Sequence, residues 1–241
     1  VAHATPTPAP TVAPVTATPS PTIDPMQPTV SPTLEPGATP TPTLEPPKAL
    51  EGHIIGIDPA RGYSSKIQGT STKVYANRLN FAVATLVKEK LEAEGATVIF
   101  TLSSVKDDKT SDQRVKILND GNVEFAIRIE CNYVKSSDTR GAMAWVPDKH
   151  DKKSDCDKLA QTVLDAYIEA TGLPLRLVGD QSVIDKTDET FLNDTNAPVF
   201  TLFLGHISNS TEDKKINDEE FQKTMAQGIV NGIMKYLGIN Q

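Results

Sequence analysis

The sequence predicts an α/β domain, an open, mostly parallel, twisted sheet with helices on both faces, following a long tail that cannot build a core. Three observations carry this. Over residues 49–241, short apolar runs that end in loop-forming residues alternate with longer segments of helical apolar spacing, the pattern of strands joined by crossover helices. The length of that region suits one core rather than two. Of the 18 prolines, 14 fall between Pro6 and Pro47, so composition itself separates residues 1–48 from the rest.

In that tail nearly everything between the prolines is Thr, Ala, Ser or Val, and Pro-Thr-(Ile/Leu)-(Asp/Glu)-Pro recurs at Pro21–Pro25, Pro32–Pro36 and Pro42–Pro46. Such a stretch has no apolar period and many missing backbone donors, which predicts a disordered, extended tether. At about 3.1 Å per residue it would reach on the order of 150 Å. Pro/Thr spacers of this kind suit a secreted or surface-displayed protein held at a wall or membrane, and a signal or anchor segment removed before Val1 fits that reading.

Each element of the domain follows from local pattern. His53–Asp58 is a short apolar run meeting Asp-Pro, the signature of a buried strand entering a loop. Leu79, Ala82, Val83, Leu86, Val87 and Leu91 recur at helical spacing until Gly95. Ala96–Thr101 reads as the second strand, Ser111–Asn119 as a short helix, Phe125–Ile129 as the third strand and Gly141–Val146 as the fourth. Leu159, Val163, Tyr167 and Ile168 mark a helix ending at Gly172, and Val199–Leu204 is a further buried strand. Phe221, Met225, Ile229, Ile233 and Leu237 form the last helix, stopped by Gly238. Parallel sheets bind ligands beyond the carboxyl ends of their strands, which selects the loops after Asp58, Ile129, Val146 and Leu204. Tyr63–Thr72 and Pro147–Asp155 are the polar segments there.

Charge excludes some partners. Asp24, Glu35 and Glu45 against Lys48 give the tail −2, so the formal −7 leaves −5 for the domain. A mildly acidic domain with no basic run argues against nucleic acid and anionic membrane surfaces, and no segment has the apolar length of a membrane span. Cys131 and Cys156 show neither a disulfide framework nor metal-ligand spacing. A single bridge stays open, with two buried free thiols the more ordinary use.

The motifs at the predicted loops are IIGIDPARG (Ile54–Gly62), Asn80 on the first helix, Arg114 on the second, FAIRIECN (Phe125–Asn132) and APVFTLFLGHISN (Ala197–Asn209). In this order, across about Gly52 to Leu237, the chain resembles the zinc-dependent N-acetylmuramoyl-L-alanine amidases, which cleave stem peptides from peptidoglycan. Asp58, Pro59, Gly62, Asn80, Arg114, Asn132, Pro198, Gly205, Ser208 and Asn209 match the family's scaffold positions. The resemblance implies an amidase fold and a zinc held by two His and one Glu, with a second Glu as general base or transition-state stabiliser. Carried over position by position, the first His is Arg61, the ligand Glu falls at Ala76 or Asn77, the second His is Glu130, and the catalytic Glu is Phe203. A catalytic zinc needs three protein ligands and an open water position. Guanidinium offers donors only, alanine offers no ligand atom, and phenylalanine accepts no proton, so the zinc expected from the family has no ligand set.

Arg128 and Glu130 lie two apart on a central strand and therefore share a face, where charges are costly unless paired. Arg61 and Arg128 flanking Glu130 suggest an ionic plug, with Asn132 and His206 completing a ligand groove and His206 able to pair with Glu130. His53 lies at the wrong end of the sheet, and His150 sits in a charged loop as a solvated residue. The leading expectation is a catalytically inactive amidase-like domain that binds peptidoglycan or a cell-wall protein outside the cell. A hydrolase with a rebuilt site and a non-catalytic protein–protein assembly module are the alternatives. Because the tail cannot form a core, removing residues 1–47 should leave the melting temperature of the domain unchanged within error. A loss of several degrees on truncation would show that the tail packs on it.

Overall fold

The computed structural model describes residues 47–239, so the predicted tether lies outside the described residues except for its last two positions. Among the described residues the elements run β1 (Ile54–Pro59), α1 (Ala76–Ala93), β2 (Thr97–Phe100), α2 (Ser111–Asp120), β3 (Phe125–Asn132), β4 (Met143–Pro147), α3 (Lys153–Thr171), β5 (Val183–Lys186), α4 (Thr190–Asn193), β6 (Val199–His206), α5 (Ser210–Ile216) and α6 (Glu219–Tyr236). They build one six-stranded sheet in the order β2-β1-β3-β6-β4-β5. Its pairings are parallel except for β4 against β6, which is antiparallel. No described helix is long and apolar enough to cross a membrane.

The sheet's two faces are unequal. Ile55, Ile57, Ile127, Ile129, Phe200, Leu202 and Leu204 alternate along β1, β3 and β6 and pack with α1, α3 and α6 in the main core. The opposite face is covered by the short helices α2 and α4, through Val115, Leu118, Phe191 and Leu192. Asp58, Arg128 and Glu130 lie on this more thinly covered face, where Glu130 near the end of β3 is only partly buried. Cys131 and Cys156 are both buried free thiols.

Two expectations need correction. The loop after Val146 does not join the others, because β4 runs antiparallel to β6 and its carboxyl end points the opposite way. Residues 133–142 hold no helix, so nothing carries the chain back before β4 begins, and β4 must start at the end where β3 stops. Pro147–Asp155 therefore belongs to the far end, and His150 is tied rather than solvated. Its Nδ1 accepts from Lys152 N at 2.9 Å, leaving Nε2 to donate to Thr195 O at 2.8 Å. The short elements β5, α4 and α5, of four, four and seven residues, were not predicted, since runs this brief carry no periodic signal.

Asp58, near the end of β1, is wholly inaccessible. Its Oδ1 accepts from Arg114 Nη1 at 2.7 Å, its Oδ2 accepts from Arg128 Nε at 2.6 Å, and Thr101 Oγ1 donates a short third bond. Arg114 is aimed by the capping box of Thr110 and Gln113, which opens α2. Burial alone would push the Asp58 carboxyl up, but Arg128 and Arg114 outweigh it and hold it below its ordinary value. Asp58 should thus stabilise the fold at neutral pH and lose that contribution as pH falls below about 3.8. Asp58→Asn leaves two buried guanidiniums short of a countercharge. It should cost about 3–5 kcal/mol in urea unfolding at pH 7, and a cost under about 1 kcal/mol would show that the three charges are not coupled.

Candidate functional site

The chain leaving β1 forms one wall of the site. Arg114 also donates to Pro59 O at 2.7 Å and, through Nη2, to Arg61 O at 3.0 Å. Asn80 on α1 donates to Ala60 O at 2.9 Å and accepts from Cys131 N at 2.7 Å, tying this loop to β3. Gly62 packs directly against the Asp108 side chain, since a Cβ there would lie 1.7 Å from Asp108 Oδ1 and force that carboxylate to move. Held in this way, Arg61 adopts φ +67°, an uncommon conformation for a bulky residue that the surroundings must sustain.

The strained backbone aims Arg61 at β3. Its Nη2 lies 2.6 Å from Glu130 Oε1, with the two side chains 23% and 15% exposed. Arg61 Nε is buried without a hydrogen-bond partner. Burial raises the Glu130 carboxyl above its ordinary value, and the opposing attractions of Arg61 and Arg128 only reduce that rise. Desolvation therefore costs this carboxylate more than its ion pair returns, as is common for enclosed charge pairs.

The expected trio of Arg61, Arg128 and Glu130 is divided in the structure. Arg128 shares a strand face with Glu130, but its Nε is taken by Asp58, its guanidinium lies 3.8 Å above the Phe191 ring, and Nη1 is 3.9 Å from Glu189. Arg128 acts on Glu130 through space only. Phe203 pairs in register with Glu130 and packs edge-on against Trp145 at 4.5 Å. Ala76, at the start of α1, is buried, and its carbonyl receives the Cys131 thiol at 3.8 Å. Asn77 donates instead to Val105 O at 3.2 Å.

His206 is not a partner of Glu130. It is 1% exposed at the end of β6, where Nδ1 donates to Gly141 O at 3.0 Å with Glu212 Oε2 at 3.7 Å. Glu212, which sequence reasoning missed, is the organiser of this corner. Its carboxylate accepts from Gly141 N at 2.9 and 3.0 Å and from His206 N at 2.5 Å. Gly205 permits the approach, since a Cβ there would sit 3.0 Å from Glu212 Oε2. The signal was available in Asn209, whose side chain caps α5 three residues before Glu212. Asn132 ends β3 opposite His206 in the β3–β6 register. Among the described residues, no three His, Cys, Asp or Glu side chains converge as a set able to hold a metal ion.

This geometry and its sequence define a class of protein. The pattern of the family described as N-acetylmuramoyl-L-alanine amidase matches residues 55–235, and the chain belongs to that family. It is 30% identical over 190 residues to the probable cell wall amidase LytH of Staphylococcus epidermidis, an alignment covering 78% of this chain and 59% of LytH. LytH of Staphylococcus aureus aligns over 191 residues at the same identity and the same coverage. The chain thus spans about 59% of the length of these curated relatives. Among solved structures, the catalytic domain of CwlV, an N-acetylmuramoyl-L-alanine amidase from Bacillus (Paenibacillus) polymyxa, superposes with TM-score 0.69 at 26% identity, covering 78% of this chain and 99% of that one. The CwlD amidase of Clostridioides difficile, solved with the GerS lipoprotein, shares the fold at TM-score 0.66 and 24% identity, covering 78% of this chain and 100% of that one.

The Arg61–Glu130 pair can be tested by mutation. Glu130→Ala strands Arg61 and should cost about 2–3 kcal/mol, less than a fully buried pair because both side chains reach some solvent. Arg61→Ala should cost less, since Glu130 can then take up a proton, and the double mutant should show a coupling of at least about 1 kcal/mol. Because its carboxyl is raised, folded Glu130 binds a proton where the unfolded chain has lost it. Its contribution to stability therefore falls as pH rises above about 4.5. Glu130→Gln cannot ionise, so its stability relative to the parent should improve across that rise. Additive mutants and a pH-independent difference would mean that the two side chains are solvated apart.

Proposed function

We propose that this domain is a non-catalytic member of the amidase family that acts outside the cell by binding peptidoglycan or a cell-wall protein. The observation that carries this is the ion pair of Arg61 and Glu130 at 2.6 Å, at the two positions where the family resemblance places histidine ligands. The donor set does not fit a catalytic zinc. Arg61 can only donate, Ala76 has no ligand atom, and Asn77 spends its amide on Val105 O. Phe203, where the resemblance places the general base, is packed against Trp145 and cannot move a proton. Binding rather than chemistry is what a fold retained around such a site can still provide. The Pro/Thr-rich residues 1–48 fit a role at the wall by giving the domain reach, and the kinship to cell wall amidases supports the same compartment.

A second reading, a working hydrolase with a rebuilt site, is favoured by that same kinship, since the LytH relatives are named as probable amidases. One experiment separates the two. Purified full-length protein should carry well under one equivalent of zinc by elemental analysis after exposure to zinc and dialysis. It should release no stem peptide from purified peptidoglycan while still sedimenting with it. One tightly held zinc per chain, or peptide release, would establish the hydrolase and end the non-catalytic reading.

A further inference from the structure

A second, separate site opens beside the ion pair, on the side of β4 and β5. A cavity of about 350 Å³ lies there, within the size range of small-ligand pockets. Met143, Trp145, Val178 and Ile184 supply its apolar wall, and Arg176 and Lys186 are its charged residues, with no carboxylate in the lining. Of these, Val178 is 49% exposed, at the solvent side of the cavity.

The polar groups here are committed on one side and free on the other. His206 lines the cavity yet is 1% exposed. Its Nδ1 proton goes to Gly141 O, which leaves Nε2 as an acceptor with no partner among the described residues. Nε2 is not sealed away, since the buried side-chain atom without a partner among the described residues is Arg61 Nε. The Asn132 side chain and the Arg176 guanidinium also make no hydrogen bond or ion pair among the described residues, while Lys186 Nζ sits 4.3 Å from the Trp145 ring. The site thus offers an amide, a ring-nitrogen acceptor without a partner among the described residues, two cations and an apolar wall.

We propose that this cavity binds the free C-terminal end of a short apolar peptide. The terminal carboxylate would sit against Arg176 and Lys186, a charge-assisted contact with nothing in the lining to oppose it. Asn132 and His206 Nε2 would take the peptide amide, and Trp145, Met143 and Ile184 would take the side chains. His206 is central because it is the one nearly inaccessible polar side chain turned to the cavity with an unused nitrogen. This goes beyond wall attachment, since defined peptides test it without any wall material.

Trp145 is the sole tryptophan of the chain, so its emission reads the cavity directly. The full-length protein would be titrated with acetylated alanyl-alanyl-leucine as the free acid and as its C-terminal amide. The acid should give a saturable change in emission, and the amide should bind at least about tenfold more weakly, the value of one charge-assisted hydrogen bond. Arg176→Ala should weaken the acid about tenfold and leave the amide unchanged. His206→Phe should weaken both ligands. Should that buried substitution prevent folding, the arginine variant decides alone. The proposal is overturned by no saturable change up to about 10 mM acid, by equal binding of acid and amide, or by an Arg176→Ala variant that binds the acid as the parent does. Sedimentation with peptidoglycan distinguishes the two proposals, because it can persist when the peptide fails to bind and can be absent when it binds.

Discussion

A single inaccessible carboxylate organises the charged end of this domain. Asp58 is the last buried polar group of β1, and three donors converge on it from β2's end, α2 and β3. None of these elements could bring its polar group inward alone, because an isolated buried guanidinium or carboxylate is prohibitively costly. Together they offset one another's burial cost, two guanidiniums sharing one carboxylate, and tie α2, β3 and the end of β2 to β1. Arg114 then spends its remaining donors on the carbonyls of Pro59, Arg61 and Lys109. The backbone of the site loop is therefore suspended from the same arginine that balances Asp58.

This arrangement explains why Arg61 tolerates a left-handed backbone. The carbonyls of Ala60 and Arg61 are both held by side chains, from Asn80 and Arg114, so the loop cannot relax without breaking bonds at a buried carboxylate. The strain is sustained by the Asp58 network and is expressed at Glu130. Arg128 is diverted into the same network by Asp58 and the Phe191 ring. Glu130 is left with one direct cation, and its carboxyl stays raised despite a 2.6 Å contact.

Much of this was legible in the sequence because it rests on periodicity and on residues whose chemistry admits few roles. Alternating apolar runs give β1, β3 and β6, and helical spacing gives α1, α3 and α6. The nearness of Arg61 to Glu130 follows from two loops meeting at one end of a parallel sheet. What escaped was directional or local. The reversal of β4 depends on the absence of a helix between Asn132 and Met143, which is information about a connection rather than about a strand. The partner of Arg128 could not be chosen between Glu130, on its own strand face, and Asp58, its register neighbour on β1. Only the placement of α4, a four-residue helix without periodic signal, sets Phe191 over the guanidinium. Glu212 escaped because a carboxylate that binds backbone amides looks, in sequence, like any acidic residue in the first turn of a helix.

The two halves of the site end differ in what they leave available. On the β1 side the charges are paired, and among the described residues the buried side-chain atom lacking a partner is a donor, Arg61 Nε. On the β4 side the reverse holds. Glu212 satisfies backbone amides, Gly141 O occupies His206 Nδ1, and the capacity left over faces an open, cationic, apolar cavity. Phe203, in register with Glu130, meets the cavity-lining Trp145 in edge-on contact, so the ion pair and the open cavity are joined through these two rings. Where Phe203 stands, a carboxylate would link the two regions electrostatically. The apolar ring supplies no countercharge, and the lining of the open cavity holds Arg176 and Lys186 with no carboxylate beside them.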